Sequence, residues 1–202
     1  MPKFSDNFQD VKLDLHGVRL PSFRIEKKYK RGRGGEEDMG NYDFLRSLCL
    51  KRFKELNLSK DSEDYKKYTE RAKYELETLK ELGFIDYVLL VWDVINFCKQ
   101  NDIPTGPGRG SAAGSLVLYL IGVTEIDPVK NELFFERFVS KIRAKKTVVD
   151  GITYLDGSLM CDVDLDICYY NRQKVIGFLE EKFSGKTSKI LTLNTLSTKL
   201  LV

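Results

Sequence analysis

The run from Asp162 to Ile167 limits the possible folds of this chain more than any other segment. Aspartates alternate in it with aliphatic residues, in the order Asp162-Val163-Asp164-Leu165-Asp166-Ile167. This period of two predicts a β-strand with three carboxylates on one face and a buried aliphatic face behind them. Adjacent carboxylates on that face would lie about 7 Å apart and repel by roughly 2 kcal/mol at an effective dielectric near 20. Such a strand therefore needs something that offsets the repulsion.

A bound Mg²⁺ would offset this repulsion, because it prefers hard oxygen ligands and commonly combines one or two carboxylates with substrate phosphates. A calcium loop of the EF-hand type is excluded. The places where that loop needs glycine and a bidentate glutamate hold Ile167 and Gln173. A solvated edge strand whose charges only prevent aggregation stays open as an alternative. Lysine or glutamate would serve that purpose equally well.

A glycine-rich segment is the second constraining feature. Its sequence is Thr105-Gly106-Pro107-Gly108-Arg109-Gly110-Ser111. Glycines permit a close approach of the backbone to a ligand, and Ser111 can cap the helix that we expect to follow. Free amides at a helix start attract anions, and Arg109 can bind phosphate in a bidentate manner. The segment lacks the Walker and dinucleotide patterns, so it predicts either a different kind of phosphate loop or only a capped turn.

Composition excludes some classes of protein. The chain has 202 residues, 42% of them hydrophobic and 31% charged, with a net charge of +3. These values fit a globular protein and are too mild to indicate nucleic-acid binding alone. No apolar stretch is long enough for a bilayer, and no signal-peptide core is present, so we expect a cytoplasmic protein without membrane contact. Four cysteines without a Cys-x-x-Cys pair predict buried thiols rather than a zinc site.

Periodicity and turn signals predict an α+β chain with one core. We expect a basic, extended lead-in over residues 1–40 and one domain over residues 41–202. Helices are predicted over residues 41–58, 62–82, 86–100, 111–121 and 171–183, with another after Asp127-Pro128. A hairpin is predicted to turn at Asp150-Gly151, and a last strand covers residues 189–193.

A basic stretch near the N-terminus predicts a flexible surface loop. Its five cations are Lys27, Lys28, Lys30, Arg31 and Arg33. Two interpretations stay open, a solvated loop and a contact with the phosphate backbone of DNA.

Several segments together resemble the palm domain of the bacterial replicative DNA polymerase III alpha subunit, in the C-family of polymerases. They are Gly106 to Val117, Asp127-Pro128, Phe135-Glu136-Arg137-Phe138, Asp162 to Asp166, and Leu191 to Thr195 with Lys199. The resemblance runs from about Leu20 to Val202. Its order and spacing are far more specific than either motif alone.

This resemblance implies a polymerase beta-like nucleotidyltransferase palm, a mixed sheet flanked by helices. It implies template-directed DNA synthesis from dNTPs onto a primer 3' end, with two Mg²⁺ ions that Mn²⁺ could replace. The implied partners are primer–template DNA, the phosphoesterase-type, thumb and fingers domains, and a sliding clamp. The implied setting is the cytoplasm of a bacterial or phage-infected cell.

The resemblance also implies roles for individual residues. Asp164 and Asp166 would be the catalytic metal ligands, with Asp162 supporting the strand. Gly110 and Ser111 would contact phosphate, with Gly108 in support, and Arg109 and Arg137 would lie near the triphosphate. A surface salt bridge with Glu132 or Glu136 is the alternative for Arg137.

Two departures set this chain apart from the family pattern. Cys161 stands where a proline is common, and residues 140–160 add a basic hairpin, as in a divergent or viral member. The third carboxylate is expected on a later palm strand, so we expect this chain alone to be inactive. A template-independent nucleotidyltransferase and a non-catalytic assembly module remain the alternatives.

Overall fold

Helices dominate the part of the chain that the structure describes. A computed structural model describes residues 20–30, 39–140, 146–150, 152–155 and 161–188. Within these ranges the helices are α1 Lys27–Lys30, α2 Asn41–Glu55, α3 Glu63–Leu82, α4 Ile85–Gln100, α5 Leu116–Leu120 and α6 Arg172–Lys182. Two strands, β1 Lys146–Val149 and β2 Ile152–Leu155, pair in antiparallel register. Short 3₁₀ helices cover Gly110–Gly114, Phe135–Arg137 and Tyr169–Asn171.

The ends of α3 follow from its capping residues. The Ser62 hydroxyl accepts a hydrogen bond from the amide of Tyr65 at 3.1 Å, which satisfies one of the unpaired donors in the first turn. Gly83 ends the helix in the left-handed region, with φ +78°. The predicted helix and its glycine stop are confirmed.

The predicted core helix, α4, is also confirmed. Its buried side chains include the whole apolar stripe expected from the sequence, namely Val88, Val91, Trp92, Ile95 and Cys98. α4 packs against both α2 and α6. On the α6 side, Phe97 and Phe178 stack with ring centroids 4.2 Å apart, and Lys182 forms an ion pair with buried Asp93.

The segment before α1 is anchored to the core. The Asp86 carboxylate accepts hydrogen bonds from the amide of Phe23 at 3.1 Å and from Asn41 at 2.7 Å. The Phe23 ring is buried and lies edge-on to Trp92, with centroids 6.4 Å apart. The prediction of a flexible loop from Lys27 onward was wrong for Lys27–Lys30, which form α1. Arg31 and Arg33 lie outside the described residues.

Two helix predictions were wrong because polar side chains form hydrogen bonds with nearby backbone amides. The stretch expected to be one helix from Ser111 is a 3₁₀ helix, Gly110–Gly114, followed by α5. Ser115 separates them in an extended conformation and caps α5 through the amide of Leu118. After Asp127 the chain forms turns instead of a helix. The Asp127 carboxylate accepts from the amides of Val129 and Lys130 at 3.0 and 3.2 Å.

A buried carboxylate on α3 holds the start of α5. Glu75 is completely buried and accepts from the Ser115 hydroxyl at 2.8 Å and from the amides of Leu116 and Val117, both at 3.0 Å. Arg71 neutralises it, with Nε 2.6 Å from the carboxylate. Burial is the largest influence on the pKa of Glu75 and raises it, while these donors oppose the rise.

Arg71 extends the same network to two further segments. Its Nη2 donates to the carbonyl oxygen of Gly114 at 2.9 Å and to that of Leu133 at 3.1 Å. The guanidinium also lies over the ring of Phe135, 5.9 Å from the centroid. α3 therefore fixes both Gly114, three residues after the glycine-rich segment, and the residues before the Phe-Glu-Arg-Phe segment.

The hairpin is confirmed, and the larger sheet stays a prediction. β1 and β2 pair from Lys146 with Leu155 to Val149 with Ile152, and Asp150 has the positive φ, 51°, that a tight two-residue turn uses. Elsewhere in the described ranges, strand pairing is limited to an isolated antiparallel bridge between Thr105 and Ile167. The predicted final strand lies outside the described residues.

The cysteines agree with the expectation of buried thiols. Cys49, Cys98 and Cys161 are buried, Cys168 is half-buried, and all four are free. Burial raises the pKa of Cys49 and of Cys161 to about 12, so both stay protonated thiols at neutral pH. None of the helices in the described ranges combines the length and the apolar character that crossing a bilayer requires.

We expect Glu75→Gln to destabilise the protein by about 3 kcal/mol, because the amide nitrogen replaces an oxygen that accepts two hydrogen bonds and the charge of Arg71 loses its buried partner. Urea unfolding followed by circular dichroism measures this change. Glu70→Gln, an exposed position on the same helix, is the matched control and should stay within about 0.5 kcal/mol of the unmodified protein. Equal stability of the two variants would contradict the assigned role.

Candidate functional site

The acidic run lies directly against the start of the glycine-rich segment. The amide of Gly106 donates to the carbonyl oxygen of Asp166 at 2.9 Å, and the amide of Cys168 donates to that of Pro104 at 3.0 Å. These two bonds flank the bridge between Thr105 and Ile167. Both sequence motifs therefore meet in one place, although about 60 residues separate them along the chain.

Side chains in the acidic run alternate as the sequence predicts. Asp162, Asp164 and Asp166 are exposed, whereas the intervening Val163 and Leu165 are partly buried against the main core. Among the described residues, the ladder expected of a strand is reduced to the bridge at Ile167. The run is thus a surface segment with a carboxylate face and an aliphatic face, held mainly by its neighbours.

Tyr87 on α4 supports this segment from behind. Its hydroxyl oxygen accepts a hydrogen bond from the amide of Val163 at 3.1 Å. Burial is the main reason that the pKa of Tyr87 rises to about 12, and the charges of Asp162 and Asp164 add to the rise. The hydroxyl therefore stays neutral and fixes the backbone between these two carboxylates.

Arg109 supplies a cation to the acidic face. Its Nη1 lies 3.0 Å from Oδ1 of Asp166, and both side chains are more than half exposed. The hydrogen bond with Asp166 and the charges of Asp166 and Asp164 raise the pKa of Arg109. Solvent screens an exposed pair of this kind, so it contributes little stability. Arg109 can consequently move to another anion, such as a phosphate, at small cost.

Glycines are required where the segment passes the carboxylates. A Cβ on Gly106 would lie 2.8 Å from Cβ of Asp166, a distance that real side chains do not tolerate. Gly110 has φ +63°, and the nearest atom to its Cβ position is Oδ2 of Asp164 at 3.8 Å. Gly108 faces Thr124 instead, whose Cγ2 would lie 2.8 Å from an added Cβ. Gly106 and Gly110 therefore line the acidic face, and Gly108 packs the loop onto the protein behind it.

Two other predicted phosphate contacts, Ser111 and Arg137, make no direct contact with the acidic residues among the hydrogen bonds and ion pairs of the described ranges. Ser111 is partly buried within the 3₁₀ helix Gly110–Gly114, and Arg109 before it makes no side-chain cap. Arg137 is exposed on the 3₁₀ helix Phe135–Arg137, which packs against the first one at Gly114. The hydrogen bonds and ion pairs found among the described residues do not join Arg137 to Asp164 or Asp166.

Asp164 and Asp166 have the oxygen donors that a divalent cation prefers. Two carboxylates are fewer ligands than such a cation needs. No group of three His, Cys, Asp or Glu side chains in the described ranges is arranged to hold a metal ion. Asp164 and Asp166 nevertheless present exposed oxygen donors, the kind that Mg²⁺ prefers, and Asp166 already accepts a cationic partner. They could hold a cation that is completed by water, substrate or a further carboxylate.

Sequence reasoning missed the groups that hold the two motifs in place. Tyr87 gives no signal in the sequence, because its role depends on tertiary contact. Arg71 and Glu75 do give one, since oppositely charged residues four apart on a helix form a pair. Nothing in that spacing shows that the pair is buried against the start of α5.

Two clefts elsewhere on the protein do not include the acidic pair. One of about 870 Å³ lies between α2 and α4, and one of about 1250 Å³ lies between the segment before α1 and the end of α6. Asp164, Asp166 and Arg109 line neither of them. Asp164, Asp166 and Arg109 are instead exposed at the surface.

Comparison with known proteins identifies the family. The model of the bacterial DNA polymerase III alpha NTPase domain matches residues 43–202. The alpha subunit of Aquifex aeolicus is 40% identical over 158 residues, which is 78% of this chain and 12% of that protein. The alpha subunits of Borreliella burgdorferi and Bacillus subtilis are each 34% identical, over 99% and 94% of this chain and 15% and 14% of theirs.

The chain therefore belongs to the bacterial DNA polymerase III alpha family. The resemblance seen in its motifs is confirmed at that level. The chain spans only 12% to 15% of the length of these three relatives.

We expect Gly106→Ala to destabilise the protein by about 1–3 kcal/mol, because the added methyl group must displace the backbone of the acidic run. Gly177→Ala in α6 is the matched control. Its Cβ position has no atom within 4 Å, so helix propensity should make that variant about 0.5–1 kcal/mol more stable. Thermal and urea unfolding measure both changes. A Gly106→Ala variant as stable as the unmodified chain would contradict the close packing of the two segments.

Proposed function

We propose that this chain is part of the catalytic palm of a replicative DNA polymerase, which extends a primer by template-directed nucleotidyl transfer from dNTPs. The proposal extends the family membership to a function and to particular residues. It includes the fold, a polymerase beta-like nucleotidyltransferase palm with a mixed sheet, and a two-metal reaction. The observation that supports it most strongly is the contact between Gly106 and Asp166, since it joins a phosphate loop to a carboxylate face.

Asp164 and Asp166 are the metal ligands in this proposal. Their neighbouring positions on an exposed face would let them share two Mg²⁺ ions, or Mn²⁺ in their place. When bound, such ions stabilise the attacking and leaving oxygens of an in-line displacement. Asp162 has a supporting role, because the hydrogen bond from Val163 to Tyr87 fixes the backbone beside it.

Arg109 has two successive partners in this proposal. Without substrate it neutralises Asp166 at 3.0 Å. When the carboxylates hold cations, that partner is no longer available, and the guanidinium turns to the triphosphate, where it can donate two hydrogen bonds. The amides at Gly110 and Ser111 provide further donors on the same side, and Arg137 reaches the triphosphate from the adjoining 3₁₀ helix.

The proposed site needs partners for activity. A third carboxylate would come from another part of the palm, and thumb, fingers and phosphoesterase-type domains would hold the primer–template DNA. A sliding clamp would add processivity. The reaction would take place in the cytoplasm of a bacterial or phage-infected cell.

We expect Asp164→Asn, in a full-length alpha subunit that carries this sequence, to lower primer extension by at least about 1000-fold, because the amide removes a charged metal ligand. Extension of a labelled primer with Mg²⁺ measures the rate, and thermal unfolding checks that the variant is folded. Asp162→Asn is the matched control on the same face and should keep most of the activity. The 202-residue chain alone should incorporate no nucleotide.

Near-normal extension by Asp164→Asn would contradict the metal assignment. Extension without a template strand would instead favour the template-independent nucleotidyltransferase. If the full-length protein does not extend primers, and Asp164→Asn changes no measured property, the non-catalytic assembly module would be favoured.

The basic segment provides a separate test of DNA contact. Lys27 and Lys28 are both exposed, and solvent screens the ion pair of Lys28 with Glu26 at 2.8 Å. Replacing Lys27, Lys28, Lys30, Arg31 and Arg33 by glutamine should lower the salt dependence of DNA binding, by a slope of about 0.9 for each lost phosphate contact. Fluorescence anisotropy between 50 and 200 mM salt, roughly the range where such contacts weaken, measures the slope. An unchanged slope of DNA affinity against salt concentration would show that the basic segment is solvated and does not contact DNA.

A further inference from the structure

Two adjacent tyrosines next to the acidic run are almost completely exposed. The side chains of Tyr169 and Tyr170 are 81% and 90% exposed, more than any other large hydrophobic side chain in the described ranges. Some other tyrosines have polar roles within the fold. Tyr68, for example, is 3% exposed and donates its hydroxyl to Asp127 at 2.5 Å. The exposed pair has no such role in the fold.

The backbone that carries these two rings is anchored by hydrogen bonds. They stand in the 3₁₀ helix Tyr169–Asn171, which is closed by a hydrogen bond from the amide of Asn171 to the carbonyl oxygen of Cys168 at 3.0 Å. The amide of Cys168 donates a hydrogen bond to the carbonyl oxygen of Pro104. Cys168 and Ile167 also pack against a small apolar cluster. The rings are 5.9 Å apart and nearly perpendicular, at 81°. Exposed aromatic rings on an anchored backbone offer flat apolar faces to a flat partner.

The position of the rings suits a strand of DNA. Tyr169 follows Asp166 by three residues, so their Cα atoms are at most about 11 Å apart. At about 3.4 Å for each nucleotide of a strand, the rings lie within roughly three nucleotides of the carboxylate pair. Arg172 and Lys174, both exposed at the start of α6, provide positive charge beside the rings. Aromatic faces flanked by cations are the usual means of binding single strands without sequence preference.

We propose that Tyr169 and Tyr170 form a stacking platform for unpaired bases of a DNA strand that passes the carboxylate pair. Base stacking provides the affinity, and Arg172 and Lys174 contact the adjoining phosphates. This inference rests on the proposed polymerase function for its substrate. It concerns DNA binding rather than catalysis, so it can be tested without turnover.

The experiment measures binding of the 202-residue chain to a fluorescein-labelled 20-mer of deoxythymidine by anisotropy at 50 mM salt. The double variant Y169A/Y170A should bind at least about tenfold more weakly, because each stacked base contributes substantially when the ring is removed. Y169F/Y170F keeps both rings and should bind like the unmodified chain. Leu50→Ala, at another exposed apolar position, 48% exposed on α2, is the matched control and should leave the affinity unchanged.

A strand of the same length that contains abasic sites separates stacking from electrostatic attraction. The unmodified chain should bind this strand about as weakly as Y169A/Y170A binds the intact one, and Y169A/Y170A should hardly distinguish the two strands. Equal affinity of Y169A/Y170A and the unmodified chain, or no binding by the unmodified chain, would overturn the proposal. A protein partner on this surface would show the first of these results.

The outcome is independent of the proposed polymerase activity. Asp164→Asn should not weaken binding of the oligonucleotide in the absence of metal, since it removes a negative charge near the phosphates and no stacking surface. Loss of primer extension with Asp164→Asn together with unchanged binding by Y169A/Y170A refutes only the platform. Normal extension by Asp164→Asn together with weakened binding by Y169A/Y170A refutes the catalytic assignment and leaves the platform standing.

Discussion

The buried carboxylate of Glu75 is the interaction on which the arrangement of the other segments depends. It accepts four hydrogen bonds, from Arg71, Ser115 and the amides of Leu116 and Val117. A carboxylate in the interior is tolerated only when it is paired and fully hydrogen-bonded. α3 and the start of α5 can therefore occupy only one position relative to each other. Arg71, shared with the carbonyls of Gly114 and Leu133, extends this constraint to the Phe-Glu-Arg-Phe segment.

The candidate site follows from that constraint. α3 fixes Gly114 and Ser115, just after the glycine-rich segment. The start of the glycine-rich segment can then pair with the acidic run through Gly106 and Asp166. Tyr87 on α4 holds the other end of the run. Three helix-borne groups thus position a surface that has few strand contacts of its own among the described residues. The carboxylates stay exposed and close to Arg109, so charge balance at this surface can change when a ligand binds, while the fold beneath it does not.

Helix caps, glycine stops and apolar periodicity predicted the parts of the fold that depend on contacts between residues close in sequence. Ser62 and Gly83 mark the ends of α3, and the apolar stripe from Val88 to Cys98 marks α4 as a core helix. They failed at Ser115 and after Asp127, where polar side chains bond nearby amides and replace the expected helices with a break and a series of turns. In both places the sequence carries a helix-start signal, Ser111 in one and Asp127-Pro128 in the other, and the hydrogen bonds of one side chain outweighed it. The functional roles of the site residues, from Arg109 to Asp166, remain predictions, and the positions of these residues in the structure support them.

The sequence by itself determined that Asp162, Asp164 and Asp166 share one face, because alternation along an extended chain is a property of the backbone. It also determined the family, through the order and spacing of its motifs. Only the tertiary structure decided which groups meet that face. Tyr169 and Tyr170 are near it already in the sequence, and the tertiary structure decided only that both side chains are exposed. Gly106, Gly110 and Arg109 reach it because Glu75 and Arg71 fix a segment far away in the chain. Such long-range contacts depend on packing, which no local pattern encodes.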